Sequence, residues 1–433
     1  MAAAALPIDE IRSRFPALQQ AQVFLDNAGG SQTLGSVITA IHDYLTKNNV
    51  QLGASYTSSK LSTDLYNKGY KAAAEHIHAP EDSIVIGPST TQLFRNLSYT
   101  LTFPAGSEII LSKLDHEANV ASWVDLAQRC NLTVKWWLPD QSTERSFNKS
   151  NPKLTPENLS PLLSSKTVFV ACTHASNILG TIHDIKALAK TIRAHCPEAL
   201  FCVDAVAYAP HRQVRVVDLD VDFYSFSWYK VYGPHIAQLY ASTRGLKAMR
   251  SLGHYFNGSS SLQDKLGLAG GSYELVAAIP AVTDYFCKVA GSQNLFWTQV
   301  KGHEEQLQKL LLAYLTSNDR VTILGEQDHN TDVRVTTVSF IVQGRRSREV
   351  VEAVDQAAGY KQAILSDGKD GDMGLGESRQ FGIRWGHFYS KRLCEEVLGL
   401  EKDGEGVIRV SMVHYNTVEE VQSLIEAFRQ VLG

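Results

Sequence analysis

Short runs of β-branched and aromatic residues alternate with stretches of helical apolar periodicity through most of the chain. That alternation is the pattern of an α/β fold. Residues 83–86 predict a strand that turns at Gly87-Pro88 into a helix beginning at Thr90. Further strands are predicted over 108–111, 133–137, 200–203 and 223–226, with an antiparallel return strand over 235–240. Residues 167–172 are almost continuously apolar, as expected of a strand buried on both faces. Helical periodicity fills 184–194. These elements place a core at about 50–275. After Ile279 the character changes. A long amphipathic helix is predicted over 292–314, with Leu295, Val300, Leu307, Leu310 and Leu311 on its apolar side. Strands follow at 334–342 and 406–411, and a last helix over 418–432 starts from Thr417, a good N-cap. The stretch 366–377, rich in glycine and acidic residues, predicts a mobile surface loop near the site.

Composition narrows the classes. The 433 residues carry 41 Lys plus Arg against 45 Asp plus Glu, a net charge of −4, which excludes a strongly basic nucleic-acid binder. Such a length buries a large core without a metal or disulfide staple. The six cysteines are Cys130, Cys172, Cys196, Cys202, Cys287 and Cys394, and none form a CxxC pair. That pattern points away from zinc ribbons and redox motifs, and toward a reducing, cytosolic setting. No run approaches the ~18 apolar residues of a membrane span. Residues 1–6 are apolar but lack a basic flank and are soon followed by Asp9 and Glu10, so no signal peptide is expected. A soluble cytoplasmic protein is the expectation, with no metal site, nucleic-acid partner or membrane partner.

Three stretches carry candidate chemistry. In Phe226-Ser227-Trp228-Tyr229-Lys230-Val231-Tyr232-Gly233-Pro234-His235 a lysine lies just past a buried strand, among aromatics. Apolar surroundings disfavour the ammonium form, and a lysine so activated can form a Schiff base; a plain surface lysine is the competing reading. In Leu200-Phe201-Cys202-Val203-Asp204 an acid closes an apolar strand, where open α/β sheets bind ligands; a loop carboxylate is the alternative. Together, Asp204 and Lys230 on neighbouring strand ends suit a pyridoxal phosphate site. In Gly87-Pro88-Ser89-Thr90-Thr91-Gln92, hydroxyl residues open a helix and could cup a phosphate, or Ser89 could be an N-cap only.

Asp204, Lys230, the Ser-Thr-Thr turn and the run Leu114-Asp115-His116-Glu117-Ala118-Asn119 together resemble the class V aminotransferase family, within its cysteine desulfurase and isopenicillin N epimerase branch. The resemblance runs from Phe24-Leu25-Asp26-Asn27-Ala28 to Arg409-Val410-Ser411 and His414-Tyr415-Asn416-Thr417, nearly the whole chain. It implies a fold-type I enzyme with a mixed, mostly parallel seven-stranded sheet in a large domain at 26–279. A small C-terminal α+β domain would span 280–433, and an arm at 1–25 would pack with it. It implies pyridoxal 5'-phosphate as cofactor, with Lys230 as Schiff-base lysine, Asp204 on the pyridine nitrogen and His116 stacked on the ring. Thr90, Thr91 and Ser227 would hold the phosphate, with Tyr229 beside them and Ser272 reaching the phosphate of a second subunit in a homodimer with shared sites. Asn177, Asn27, Ala28 and Arg384 would bind the amino-acid substrate, Arg384 gripping its carboxylate.

The departures from the family pattern bear on the reaction. The resemblance implies a reactive cysteine shortly before Arg384 in desulfurases, yet 344–380 contains none, and Cys394 lies beyond it in a helical run that reads as structural. Persulfide chemistry then lacks its thiolate. The family's histidine before the lysine is Tyr229 here, and its glutamine three residues after the aspartate is Ala207. The runs around Asp204 and Lys230 resemble a desulfurase-like subgroup that includes fungal natural-product enzymes of the loline and ustiloxin pathways. The implied activity is on a small α-amino acid through an external aldimine and a carbanion or enamine. It would make or break a C–C or C–N bond by decarboxylation or β/γ-substitution. A cysteine-free C–S lyase and an amino-acid epimerase are the alternatives.

Overall fold

The computed structural model describes residues 5–139, 149–357, 380–400 and 406–433; the predicted loop at 366–377 lies outside them. Seven strands form one sheet: β1 (Ile84–Gly87), β2 (Glu108–Ser112), β3 (Thr133–Trp137), β4 (Thr167–Thr173), β5 (Leu200–Asp204), β6 (Phe223–Ser227) and β7 (Ala237–Ala241). Their spatial order is β1-β7-β6-β5-β4-β2-β3. All neighbours are parallel except β7, which runs antiparallel to both β1 and β6. The mixed, mostly parallel sheet is therefore as expected, and so is the antiparallel return strand, which begins two residues later than predicted.

The period-2 alternation of the strands divides their side chains between two cores. Val170, Cys172, Phe201 and Val203 face one, while Phe169, Ala171, Leu200 and Cys202 face the other. Both faces are covered, which is why β4 reads as a continuous apolar run. Helix α1 (Thr90–Thr100) follows β1, with Ser89 as N-cap accepting from Gln92 N–H at 3.1 Å. Helix α2 (Ile185–His195) follows β4 and is capped by Asp184.

Helix α3 (Gln293–Thr316) joins the large sheet to the small C-terminal domain. Phe296, Trp297 and Val300 belong to the first core, whereas Leu307, Leu311, Leu312 and Leu315 belong to a separate one. The change of core thus falls inside one helix, well after residue 279. Of the residues predicted on its apolar side, Leu295 is 40% exposed and Leu310 only partly buried. The buried stripe runs through 296, 300, 304, 307, 311 and 315 instead, and position 295 lies to one side of it.

The small domain holds a four-stranded antiparallel sheet. In spatial order its strands are Arg384–Gly386, Val407–Ser411, Thr337–Val342 and Val321–Leu324. The predicted strand at 334–342 starts at Thr337. Arg334 is drawn away to bridge Thr181, and Val335 N–H bonds to Gly180 O at 2.8 Å. Near the N-terminus, Gln22–Phe24 pairs in parallel with Gln380–Gly382, and Asp26 bridges Ser411. Helix α4 (Val418–Leu432) begins at Thr417, which forms a capping box with Glu420. Among the described residues no helix is long and apolar enough to cross a membrane.

Candidate functional site

The strand order decides what meets at the C-terminal edge of the large sheet. β4, β5 and β6 are adjacent, and their registers align Thr173 with Asp204 and Asp204 with Ser225. The chain leaves β6 at Ser227 in a 3-10 turn, Trp228–Lys230. Hydrogen bonds from Val231 and Gly233 N–H to Trp228 O close that turn, and Ser31 clamps Tyr229 O through both its N–H and its hydroxyl. Lys230 is thereby fixed beside the strand end carrying Asp204. The start of α1 arrives from the other side, and Thr90 Oγ1 meets Ser227 Oγ at 2.9 Å.

Together these elements line a cavity with about 520 Å³ of empty space, part of it open to solvent. Its wall includes Ser89, Thr90, Thr91, His116, Asn177, Asp204, Ser227, Tyr229 and Lys230. Desolvation shapes the titration of its polar groups. Burial, with Arg409's charge added, pulls Lys230 down to about 8, against the opposing pull of Asp204 and Asp26. Burial pushes Asp204 up to about 6, opposed by the bond from Val206 N–H at 2.9 Å and by Lys230. It lowers His116 to about 4, helped by Lys230 and Arg409. His116 Nδ1 accepts from Ala118 N–H at 3.1 Å, so the neutral ring carries its proton on Nε2. Asp115, behind the wall, is pushed up to about 8 by burial while Asn119 (2.7 Å) and Thr173 N–H (3.1 Å) hold its oxygens.

Arg384, Asn27, Ala28 and Ser272, also predicted for the site, lie outside this wall. The Arg384 side chain is 55% exposed and bound to Asp26 Oδ2 at 3.2 Å. Asn27 is buried, but its amide is spent on Phe24 O, Ser411 O and Asn416 Oδ1. Ala28 donates its N–H to Ser411 Oγ at 2.8 Å. Ser272 is exposed at the start of the short helix Tyr273–Ala277. Asn177 reaches the wall, yet its amide holds a loop, donating to Phe388 O (3.0 Å) and accepting from Ser390 (2.9 Å). The sequence reading assigned no role to Arg409 or Tyr389. Arg409 is buried, binds Asp26 Oδ1 at 2.7 Å, stacks on Phe388 at 3.6 Å and keeps its Nε unpartnered. Tyr389 stands 5.2 Å from His116, ring to ring. None of the six cysteines, all among the described residues, lines the cavity. Cys394 is buried in the π-helical turn Leu393–Val397, its thiol pushed up to about 12 by burial.

A cofactor with an aldehyde, a basic ring nitrogen and a phosphate fits these residues. Lys230 is buried, yet its ammonium has no hydrogen-bond or ion-pair partner among the described residues, and it forms no ion pair with Asp204. A buried charge left so is costly unless a ligand satisfies it. Asp204 spends one oxygen on Val206 and leaves the other for the cavity. Hydroxyls and the positive end of an eleven-residue helix supply an anion site.

Fold and site together define a pyridoxal-phosphate-dependent enzyme of fold type I. More narrowly, the chain belongs to the class V aminotransferase family, whose pattern, described as "Aminotransferase class-V", it matches over residues 23–424. The cofactor is pyridoxal 5'-phosphate. The chain is 48% identical to "Aminotransferase-like protein FGM3" of Gibberella zeae, over the whole of both chains. It is 35% identical to "Cysteine desulfurase-like protein ustD" of Aspergillus flavus, covering 99% of this chain and 91% of that one. Among solved structures, the apo cysteine desulfurase of Thermococcus onnurineus NA1 shares the fold with a TM-score of 0.81 at 22% identity, over the full length of both chains.

Proposed function

We propose that the enzyme binds a small α-amino acid in this cavity and makes or breaks a C–C or C–N bond, by decarboxylation or β/γ-substitution, in natural-product biosynthesis of the alkaloid type. The observation that carries this reading is the composition of the wall. An unpartnered buried lysine and a buried aspartate share it, and no cysteine is present to take up sulfur. Fungal relatives named aminotransferase-like and cysteine desulfurase-like are consistent with this reading.

When bound, pyridoxal phosphate supplies an electron sink for a carbanion at the substrate α-carbon. Lys230 would anchor the cofactor, and its amine, with a pKa lowered to about 8 by burial, would carry protons to and from the substrate. Asp204 would accept a hydrogen bond from the pyridine N–H; that positive charge opposite its free oxygen would restore its ionised form. Ser89, Thr90, Thr91 and Ser227 would hold the phosphate, and neutral His116 would cover one ring face. Asp26 bridges Arg384 and Arg409, one oxygen to each, so the trio carries one unbalanced positive charge. That charge suits the substrate carboxylate, with Arg409 as the inner contact and the exposed Arg384 outside it. A cytoplasmic homodimer, with Ser272 approaching the partner's phosphate, belongs to the same proposal.

The test incubates the cofactor-loaded protein with a panel of amino acids, following visible absorbance and product mass. One amino acid should lose its carboxylate or a β/γ substituent, with Cys394→Ser unimpaired. Persulfide formation from cysteine that depends on Cys394 would overturn the proposal. Solvent deuterium entering the α-position without net product would make the enzyme an epimerase.

A further inference from the structure

Behind His116 lies a buried polar network that the chemistry described above does not use. Asp115, Asn119 and Trp123 are almost wholly buried, so their polar groups must find partners inside the protein. The Trp123 indole N–H donates to Asn119 Oδ1 at 2.9 Å, and the Asn119 amide donates to Asp115 Oδ2 at 2.7 Å. Asp115 Oδ1 accepts from Thr173 N–H at 3.1 Å. The groups at the two ends, an indole N–H and a backbone N–H, can only donate. Two amides between them would leave one N–H facing another; one amide and one carboxylate let every link close. Asp115 supplies that carboxylate, although no cation among the described residues pairs with it.

The links lead to the three parts of the site that face the cofactor. Asn119 N–H donates to His116 O at 2.9 Å across the 3-10 turn Glu117–Asn119, and Ala118 N–H in the same turn holds His116 Nδ1. The seat of the His116 ring therefore follows the seat of Asn119. Thr173 ends β4 in register with Asp204, and its hydroxyl donates to Asp204 O at 3.2 Å. Trp123 packs ring to ring on Phe94 of α1 at 5.6 Å and on Phe169 of β4 at 4.6 Å, and the start of α1 forms the anion site. Asp115 is thus the node between the residue over the ring face, the residue at the ring nitrogen and the helix at the phosphate. Every one of these contacts is buried within one chain, so docking of a second subunit leaves them in place.

We propose that Asp115 is a positioning residue. Acting through Asn119, it sets the height and tilt of the His116 ring over the cofactor relative to Asp204. The inference rests on the reading that His116 covers one ring face. What Asp115 supplies is orientation: a substrate bond is weakened only when it stands perpendicular to the ring plane, so a tilt of that plane misdirects the reaction.

The test reads the visible circular dichroism of the cofactor-loaded enzyme per unit of cofactor absorbance, which reports ring orientation without turnover. Asp115→Asn puts two amides between two donors and should lower the signal about twofold. The double variant Asp115→Asn, Asn119→Asp closes every link again with the acid moved one place along, and should recover most of the signal. His116→Ala should also lower it, and adding Asp115→Asn to His116→Ala should change it no further, because both act on one contact. An unchanged signal in Asp115→Asn, no recovery in the double variant, or an undiminished effect of Asp115→Asn in the His116→Ala background would overturn the positioning role. If His116→Ala lowers the signal and Asp115→Asn does not, the positioning role alone fails. If His116→Ala itself leaves the signal unchanged, His116 does not cover the ring, and both fail together.

Discussion

Lys230 shows how one residue carries both cost and function. Its pKa is lowered from the ordinary lysine value of 10.5 to about 8, mainly by burial. Between those values the unfolded chain binds more protons than the folded one, so Lys230's contribution makes apoprotein stability rise as pH climbs from about 8 toward 10.5. Below pH 8 the full penalty is present. Lys230→Met apoprotein should therefore be more stable than wild type at pH 7, by about 2 kcal/mol, and the gain should shrink toward pH 10 in denaturant titrations. Arg409 and Arg384 make a second case. Arg409→Ala should weaken amino-acid binding by roughly 2–5 kcal/mol, because its charge is desolvated. Exposed Arg384→Ala should cost about 1 kcal/mol or less. Spectral titration with the substrate amino acid separates the two, and equal losses would return Arg384 to the inner position.

At the scale of elements, the loop joining β4 to α2 is what the site depends on. Gly180 has φ +69°, and a Cβ there would lie 2.3 Å from Thr337 O. Gly180→Ala should cost about 3 kcal/mol or more, by strain and by collision with backbone, and should loosen the Asn177 contact to the Phe388 loop. Chemical denaturation and cofactor affinity both report it. The strand ends were legible in the sequence because an apolar run closing on Asp204, and another on Lys230, states where each side chain emerges. α4 was legible to the residue, since Thr417 is a good N-cap; the structure adds Glu420, which completes a capping box. What the sequence did not disclose were contacts between distant segments. Asp26 and Arg409 are 383 positions apart, and no local pattern links them. Tyr389 was hidden for a related reason: its left-handed backbone is imposed by Asn177 and Glu117, not by its own residue type.

At the scale of the molecule, α3 couples the cofactor sheet to the small domain through a buried charge. Glu304 is fully buried midway along it and meets His211 and Arg212, each at 2.6 Å. Both follow the Asp204 loop, so the helix ties the two cores to the floor of the site. Burial alone would raise the Glu304 carboxyl; His211 and Arg212 outweigh it and hold the group below its usual range. That contribution is present above the unfolded pKa and lost as pH falls through the lower folded value. Glu304→Ala should cost about 3–5 kcal/mol at neutral pH by leaving Arg212 uncompensated, and the difference from wild type should narrow in acid. The central claim concerns one lysine among the many in the chain. Borohydride reduction of the cofactor-loaded protein, proteolysis and peptide mass mapping test it most directly. The account predicts the cofactor's mass on the peptide containing Lys230 and on no other; attachment to another lysine, or to none, would contradict it.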